Sequence, residues 1–326
     1  MKRAAAVIAV ALLLPLTAHA DPAGCFMLKQ EAQRGNPDRE FLYGQAVATG
    51  ACGFRVNKPE AGAWYRKAAD HGNVPAAHAL AEMYFSGDGM PLNYVEAKRW
   101  YTRAATMGDG PSQLRLAFLN AENHFAPLKT NYAEAERWFR KAADQNIEDA
   151  QFRLGNFYLN YKHPADYAQG VPWLRKAAEG GNRTAMFDLG RLLLAGEGVA
   201  KDTNAGLTWI KQSANDGTVQ AQMMLAGIYA DGKTVPVDAM ESLKWIMKIV
   251  NGPDPSVYYL NRAGDIFFDG WDAVPKNYPA ARTYYERAAK CNDPHALERL
   301  AQMYRQGLGV PPDEAKAAEF ETRIKH

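Results

Sequence analysis

The residues that could carry out chemistry in this sequence are few and scattered. The histidines after residue 20 are His71, His78, His124, His163, His295 and His326. No stretch has the Gly-x-Ser-x-Gly, His-Glu-x-x-His, Cys-x-x-Cys or phosphate-loop spacing that nucleophilic, zinc-dependent, thiol-redox or nucleotide chemistry uses. We therefore predict that the chain is not an enzyme, has no catalytic or metal-binding residues, and uses no cofactor.

Two histidines keep one chemical alternative open. His124 and His163 lie in stretches that depart from the repeat pattern described below, and neighbouring loops could bring their imidazoles together as metal ligands. His71 and His295 fit better as residues of turns or helix ends. A metal site between His124 and His163 therefore remains the alternative to a purely structural interpretation.

The first twenty residues have the pattern of a secretory signal peptide. Two basic residues precede an apolar run over 4–16, and Ala18-His19-Ala20 is a small-x-small cleavage site. The run is too short to span the ~30 Å of a bilayer core. Cys25 lacks the preceding aliphatic residue that a lipoprotein would need. We predict cleavage after Ala20 and a periplasmic product.

The charge of the chain excludes two classes of partner. The formal net charge is +2, and residues 1–20 hold two basic and no acidic residues, so the exported chain is neutral. A neutral chain has no general attraction to nucleic acid or to an anionic membrane. No later stretch is apolar enough to span a bilayer. We expect no nucleic-acid partner and no membrane insertion.

The sequence repeats with a period of about 36 residues. An aromatic residue followed by a basic residue and paired small residues recurs at steps of 35 to 39 residues. It starts at Trp64, Trp100, Trp138, Trp173, Trp209, Trp245 and Tyr284. Such internal periodicity is typical of solenoid proteins, in which each repeat packs only on its neighbours.

A second marker lies about twenty residues before each aromatic. It has small and apolar residues at helical spacing, as in Ala76, Leu80, Ala81 and Tyr84, and predicts an amphipathic helix. Glycines follow it, as in 86–90, and can supply the positive φ that a helix end needs. An Asn or Asp then precedes the second helix. Each repeat is thus predicted to be a helix, a turn and a helix.

The order of these positions resembles the Sel-one-like (Sel1) repeats, relatives of the tetratricopeptide repeats. The resemblance covers about residues 25 to 320. It implies an all-α fold, a right-handed α/α superhelix of about eight helix-turn-helix repeats. It also implies a role in protein complexes, frequently in bacterial envelopes, and therefore another protein or a peptide as partner.

We predict one signal peptide and one solenoid. The signal peptide is 1–20, and a single repeat solenoid follows over 21–326. Its parts are an N-terminal cap helix 25–36, repeats at about 37–73, 74–109, 110–147, 148–182, 183–218, 219–253 and 254–293, and a C-terminal capping repeat 294–326. Repeats three and four break the pattern at their turns, which is where loops of a regular scaffold often carry function.

Helix placement suggests how the three cysteines are used. The predicted helices 25–34 and 38–49 are antiparallel neighbours, which brings Cys25 at the start of one close to Cys52 just past the end of the other. In an oxidising compartment we expect them to form a disulfide. The alternative is two free buried thiols. Cys291 is expected to be a free thiol.

The resemblance also suggests a contact surface, since the first helix of each tetratricopeptide-like repeat lines the concave face. Residues at two helical positions on that face, with two residues of the divergent fourth repeat, are candidate partner contacts. They are Phe41, Leu114, Phe118, Phe152, Phe187, Met223, Tyr161 and His163. An aromatic row of this kind would bind protein if exposed. The alternative is that these rings pack in the core.

These observations favour a non-catalytic exported scaffold or adaptor. It would dock a partner protein or peptide on its concave face, for an envelope complex or a regulatory pathway. A periplasmic immunity-type protein that sequesters a secreted effector toxin is one alternative. A β-lactam-binding or β-lactam-hydrolysing enzyme is another, although the relatives with that activity carry a cysteine pair in most repeats and this chain does not.

Overall fold

The computed structural model describes residues 22–161 and 165–324, and their regular structure is helical throughout. Seventeen α-helices are joined by short loops, and one isolated antiparallel bridge pairs Trp271 with Val274. The predicted all-α repeat fold is thereby confirmed. The chain divides into two compact units at residue 165, and that it forms one continuous superhelix stays a prediction.

Unit 1 ends at Ala165 and contains α1 to α8. Their bounds are α1 Pro22–Gln33, α2 Pro37–Thr49, α3 Lys58–Asp70, α4 Val74–Ser86, α5 Tyr94–Thr106, α6 Gly110–Ala121, α7 Tyr132–Ala143 and α8 Glu148–Asn156. A short 3₁₀ turn covers Ala51–Gly53, and a π-helical turn covers Phe157–Tyr161. Each helix from α2 to α8 packs against the one before it.

Unit 2 starts at Asp166 and contains α9 to α17. Their bounds are α9 Tyr167–Glu179, α10 Arg183–Ala195, α11 Thr203–Asn215, α12 Val219–Asp231, α13 Ala239–Val250, α14 Val257–Asp269, α15 Tyr278–Ala289, α16 Pro294–Gln306 and α17 Glu314–Ile324. The most extensive packing is between the two helices of one repeat, such as α10 with α11 and α16 with α17.

Helix ends follow the capping chemistry that the sequence predicts. Gly87 ends α4 at φ 76° and Gly307 ends α16 at φ 70°, a left-handed conformation that a side chain would strain. Second helices begin at an Asn or Asp whose side chain accepts backbone N–H bonds. Asn93 Oδ1, for example, accepts from the amide of Glu96 at 3.1 Å.

The repeated small and apolar positions form the core of each unit. Leu80 and Leu154 are fully buried at the same repeat position, and each contributes roughly 1.5–3 kcal/mol by leaving water. The small residue that follows lets the second helix approach closely. A Cβ on Gly264, for instance, would lie 2.4 Å from Cε1 of Tyr285.

The N-terminal helices are joined by the predicted disulfide. Cys25 in α1 is bonded to Cys52 in the turn after α2, with the two Cα atoms 5.7 Å apart. The bond ties α1 to the turn that follows α2. Cys291 is an exposed free thiol. Within the described ranges, no helix is long and apolar enough to cross a membrane.

Repeats three and four depart from the glycine turn as expected. In repeat three, α6 ends at Ala121 and the loop 122–131 runs to the start of α7. In repeat four, α8 passes into the π-helical turn that ends at Tyr161. The predicted signal peptide and its cleavage after Ala20 lie outside the described residues, and so does His163.

Candidate protein-binding cleft

The first helices of three successive repeats in unit 1, α4, α6 and α8, line a two-lobed cleft together with the start of loop 122–131. The large lobe has a volume of about 650 Å³. Its walls are formed by His78, Glu82, Phe85, Pro111, Leu114, Arg115, Phe118, Glu122, His124, Phe125, Asp149 and Arg153. Apolar rings and charged groups therefore alternate along this lobe.

The small lobe has a volume of about 280 Å³, and its lining combines four aromatic rings with the polar side chains of Glu122, Arg153, Asn156 and Asn160. The rings are those of Phe118, Phe139, Phe157 and Tyr161. Phe157 and Tyr161 stack with ring centroids 5.8 Å apart, and Phe118 meets Phe139 edge to face at 5.4 Å. The two lobes share Phe118, Glu122 and Arg153, so this trio forms their junction.

One ion pair links α4 to α6 across the large lobe. Arg115 donates from Nε to Glu82 Oε1 at 2.7 Å and from a second nitrogen to Oε2 at 3.4 Å. The guanidinium also lies over the ring of Phe85, 5.5 Å from its centroid. Both charges are half-exposed, so the pair orients side chains more than it stabilises the fold.

Arg153 occupies the same position in α8 but has a different set of contacts. Its Nε donates to Asp149 Oδ1 of its own helix at 3.2 Å. The guanidinium lies 5.1 Å from the centroid of Phe118 in the preceding repeat and 5.5 Å from that of Phe152. It therefore covers aromatic rings while its charge stays accessible at the cleft.

Glu122 accepts a hydrogen bond at the junction of the lobes. Tyr161 O–H donates to Glu122 Oε1 at 2.6 Å, and His124 Nδ1 lies 3.7 Å from the other carboxylate oxygen. The hydrogen bond to Glu122, with burial, raises the pKa of Tyr161 to about 12. Tyr161 therefore stays a neutral donor at physiological pH and holds the carboxylate in place.

His78, which lines the large lobe from α4, contacts the residues at the start of α6. Its Nδ1 lies 2.8 Å from Ser112 Oγ and 3.4 Å from Asp109 Oδ2. Asp109 caps α6 by accepting the amide of Ser112 at 2.8 Å. Burial alone would raise the pKa of Asp109, but the hydrogen bonds from His78 and Ser112 outweigh it and lower the pKa.

The structure brings three of the predicted contact residues to this cleft. Leu114 and Phe118 are half-buried in its wall, and Tyr161 closes the small lobe. Phe41 and Phe152 are instead buried. Phe41 packs on Tyr65 with centroids 5.6 Å apart, so the core alternative describes these two rings and we do not retain them as contact residues.

The remaining predicted contacts lie elsewhere. Phe187 and Met223 belong to unit 2, where both are half-buried and Phe187 packs against the core of that unit. Their role as contacts stays a prediction. His163 lies outside the described residues, so the alternative metal site with His124 stays untested. Among the described residues, no group of three or more His, Cys, Asp or Glu side chains could hold a metal ion.

Sequence reasoning missed several residues of the cleft. Arg115 directly follows Leu114, and Arg153 holds the equivalent place after Phe152, which helical spacing alone assigns to a solvated face. Glu122 and Phe125 lie in the divergent loop after α6. The loss of the glycine turn was the signal for that loop, but it could not show which side chains face the first helices.

The repeat geometry is matched by a known family. The sequence model described as Sel1 repeat matches eight segments, which together cover most of the chain: 40–73, 74–109, 110–147, 148–182, 184–218, 219–246, 257–293 and 294–320. The chain belongs to the Sel1 repeat family. Sel1 repeat proteins typically mediate contacts between proteins, which agrees with a cleft built on the regular face of the array.

Solved structures support the same fold. This Sel1 repeat chain is similar to a protective antigen of uropathogenic Escherichia coli with an SLR fold, at 28% identity and a TM-score of 0.76. The match covers 92% of this chain and 64% of the antigen, so the chain spans less than two thirds of that protein. A Sel1 repeat protein from Oxalobacter formigenes is 26% identical, with a TM-score of 0.66 and coverage of 92% and 85%.

More distant similarities carry no functional argument. An immunity protein from Pseudomonas aeruginosa is 18% identical over 65% of this chain and 79% of its own, with a TM-score of 0.39. No curated protein sequence matches the chain.

Proposed function

We propose that this Sel1 repeat chain is an exported, non-catalytic scaffold or adaptor that binds a partner protein or peptide in the two-lobed cleft of unit 1. The observation that carries the proposal is the half-buried apolar wall formed by Leu114 and Phe118, set among charged groups and two connected lobes. Apolar anchors surrounded by polar groups are the usual anatomy of a protein-binding hot spot.

The dimensions of the cleft suit a peptide segment. Lobes of about 650 and 280 Å³ lie in or near the volume range of sites that enclose a ligand or a few side chains. Their arrangement side by side, across three repeats, suits consecutive side chains of an extended segment better than one compact small molecule. The proposed mechanism is docking without a chemical step.

Export to an oxidising compartment forms part of the proposal. The disulfide between Cys25 and Cys52 is the kind of bond that persists outside the reducing cytosol. Together with the signal-like residues 1–20, it supports the periplasm as the place where the partner is met.

The test is affinity capture from periplasmic extract of the source bacterium, using residues 21–326 as bait. We expect one dominant partner that Leu114→Glu reduces more than about tenfold, because it places a charge in the apolar wall. The fold should tolerate this change, since Glu298 occupies the same position in repeat eight. The control is Tyr258→Glu, which charges an exposed ring of unit 2.

Two results would contradict the proposal. Capture of no partner under any condition would oppose a scaffold role, and equal capture by Leu114→Glu and the parent chain would place the site elsewhere. The chemistry of the partner would then decide between the alternatives of an envelope scaffold and an immunity-type protein, because the second requires a secreted toxin as the captured protein.

A further inference from the structure

The charges of the two-lobed cleft are unequally compensated. Glu82 is paired with Arg115 at 2.7 Å, and Asp149 is paired with Arg153 at 3.2 Å. Each of these carboxylates therefore already has a guanidinium partner within the chain. An incoming cation would have to compete with that partner for either of them.

Glu122 differs from both. Its polar contacts are the hydroxyl of Tyr161 at 2.6 Å and the imidazole of His124 at 3.7 Å. In the part of the chain that the structure describes, no lysine or arginine forms an ion pair with it. Its side chain is 28% exposed, so a ligand can reach a carboxylate whose orientation the tyrosine has already set.

The position of Glu122 adds a second requirement. The carboxylate lies where the large lobe meets the small lobe, next to Phe118. The rings of Phe139, Phe157 and Tyr161 line the small lobe beyond it, together with Asn156 and Asn160. An occupant that pairs with Glu122 would therefore place a neighbouring group against aromatic rings, which favour an apolar side chain.

We propose, on the basis of the function inferred above, that the cleft recognises a peptide segment in which a lysine or arginine lies beside a large apolar residue. The cation pairs with Glu122, and the apolar side chain fills the small lobe. Residues one or two apart on an extended chain are separated by about 3 to 7 Å, which suits a carboxylate at the mouth of the lobe. An acidic segment is disfavoured, since the three carboxylates of the cleft, Glu82, Glu122 and Asp149, outnumber its two guanidinium groups.

The experiment selects ligands without assuming a partner. Random dodecapeptides displayed on phage are selected against immobilised residues 21–326, and the enriched sequences are synthesised for affinity measurement. We expect enrichment of lysine or arginine within two residues of a large apolar residue. Glu122→Gln should weaken binding about 10- to 100-fold, the usual loss when a charge-assisted hydrogen bond is removed. Glu122→Lys should shift selection towards acidic peptides.

A matched control exists in unit 2. Glu197 also accepts a hydrogen bond from the hydroxyl of a tyrosine, Tyr167, so Glu197→Gln removes the same kind of charge from a residue that does not line the cleft. It should leave peptide affinity unchanged. Far-ultraviolet circular dichroism and thermal melting of each variant show whether the fold is kept. A further variant, Tyr161→Phe, keeps the carboxylate of Glu122 and removes only the hydroxyl that donates to it.

Three outcomes would overturn the inference. The first is enrichment of peptides without a cation, or of no peptides at all, and the second is unchanged affinity in Glu122→Gln. The third is tighter binding in Lys162→Gln, because Lys162 follows Tyr161 in the sequence, lies outside the described residues and would then be a cationic partner of Glu122. Failure of the inference remains distinct from failure of the proposed function. If a protein partner is still captured and Leu114→Glu still reduces its capture, the scaffold role stands without this specificity.

Discussion

Two contacts between successive repeats, one in each unit, place an acid, an arginine and a phenylalanine at the same repeat positions but in different surroundings. In unit 1, Arg115 pairs with Glu82 at 2.7 Å and lies over Phe85 at 5.5 Å. In unit 2, Arg299 lies 3.5 Å from Asp265 and 4.6 Å from the ring centroid of Phe268. The positions within the repeat are identical, so the acid, the arginine and the phenylalanine form a recurring scaffold contact.

The surroundings of the two contacts differ. Asp265 also accepts Tyr285 O–H at 2.7 Å and lies 2.8 Å from Nε2 of His295, while Arg299 reaches a second carboxylate, Asp269, at 3.1 Å. The carboxylates around Arg299 are thus compensated within unit 2. The divergent loop of unit 1 instead adds Glu122, without a paired lysine or arginine among the described residues. The recurring contact connects successive repeats, and the recognition site that we propose lies where the repeat pattern breaks.

Repeat three shows how the same position changes role. Phe118 stands where repeat two has Glu82 and repeat seven has Asp265. The arginine of the next repeat, Arg153, keeps its place, lies over the phenyl ring and takes Asp149 as its acid. One substitution in the repeat pattern thus converts an inter-repeat ion pair into an apolar surface.

The largest expected effect comes from reversing that substitution. Phe118→Glu should reduce partner binding more than about tenfold, because it removes the ring shared by both lobes. Stability should change by less than about 1 kcal/mol, since Arg153 can pair with the new carboxylate as Arg115 does with Glu82. Partner capture and thermal melting measure the two quantities.

The matched control places the same side chain at the same repeat position in unit 2. Gly227→Glu does this at an exposed site with open space around the Cβ position, and should leave binding intact. Equal binding by Phe118→Glu and the parent chain would show that Phe118 packs within the chain and does not contribute to partner binding. A large loss of stability in Phe118→Glu would show that a carboxylate is not tolerated at Phe118 as it is at the equivalent positions Glu82 and Asp265.

The second prediction concerns how closely the two helices of a repeat approach each other in repeats two and seven. A methyl group on Gly264 would lie 2.4 Å from the ring of Tyr285, so Gly264→Ala should cost about 1–3 kcal/mol of unfolding free energy. Repeat two has Ala81 at this position, fully buried. Ala81→Gly should cost only about 0.5–1 kcal/mol through backbone entropy. Denaturant unfolding of both variants checks that Gly264→Ala loses more free energy of unfolding than Ala81→Gly. A Gly264→Ala variant as stable as the parent chain would contradict the prediction.

The smallest effect concerns pH. Asp109 contacts His78 in unit 1, whereas its counterpart Asp293 accepts a hydrogen bond from the side-chain Nδ2 of Asn261 at 2.7 Å. Because the pKa of Asp109 is lowered in the fold, its charge stabilises the chain above the unfolded-state pKa of about 3.9. That contribution is lost as the pH falls through the lower folded-state pKa.

Asp109→Asn keeps a capping side chain but loses this charge. Its melting temperature should lie a few degrees, about 2–4 °C, below that of the parent chain at neutral pH, and the gap should close in acid. Melting curves measured across that pH range, with Asp293→Asn as the comparison in unit 2, provide the check. A gap that stays constant into acid would contradict the contribution assigned to the charge of Asp109.

The sequence predicted the repeated parts of this molecule well, because each rests on a local rule. Helical spacing around Leu80, the left-handed glycine at Gly87 and the pairing of Cys25 with Cys52 all follow from short-range geometry. The cleft does not, because it depends on the path of loop 122–131 and on which way Arg153 folds over its neighbours. Helical phase likewise could not separate buried Phe41 from half-buried Phe118, since both occupy the first-helix face.

The central claim is that the partner binds unit 1 at the first-helix face of repeats two to four. Hydrogen–deuterium exchange of the chain, alone and with its captured partner, tests it most directly. The account predicts that binding slows exchange in α6, in loop 122–131 and in α8, with little change in α14 to α17. Protection confined to unit 2, with none around Phe118 and Glu122, would contradict it.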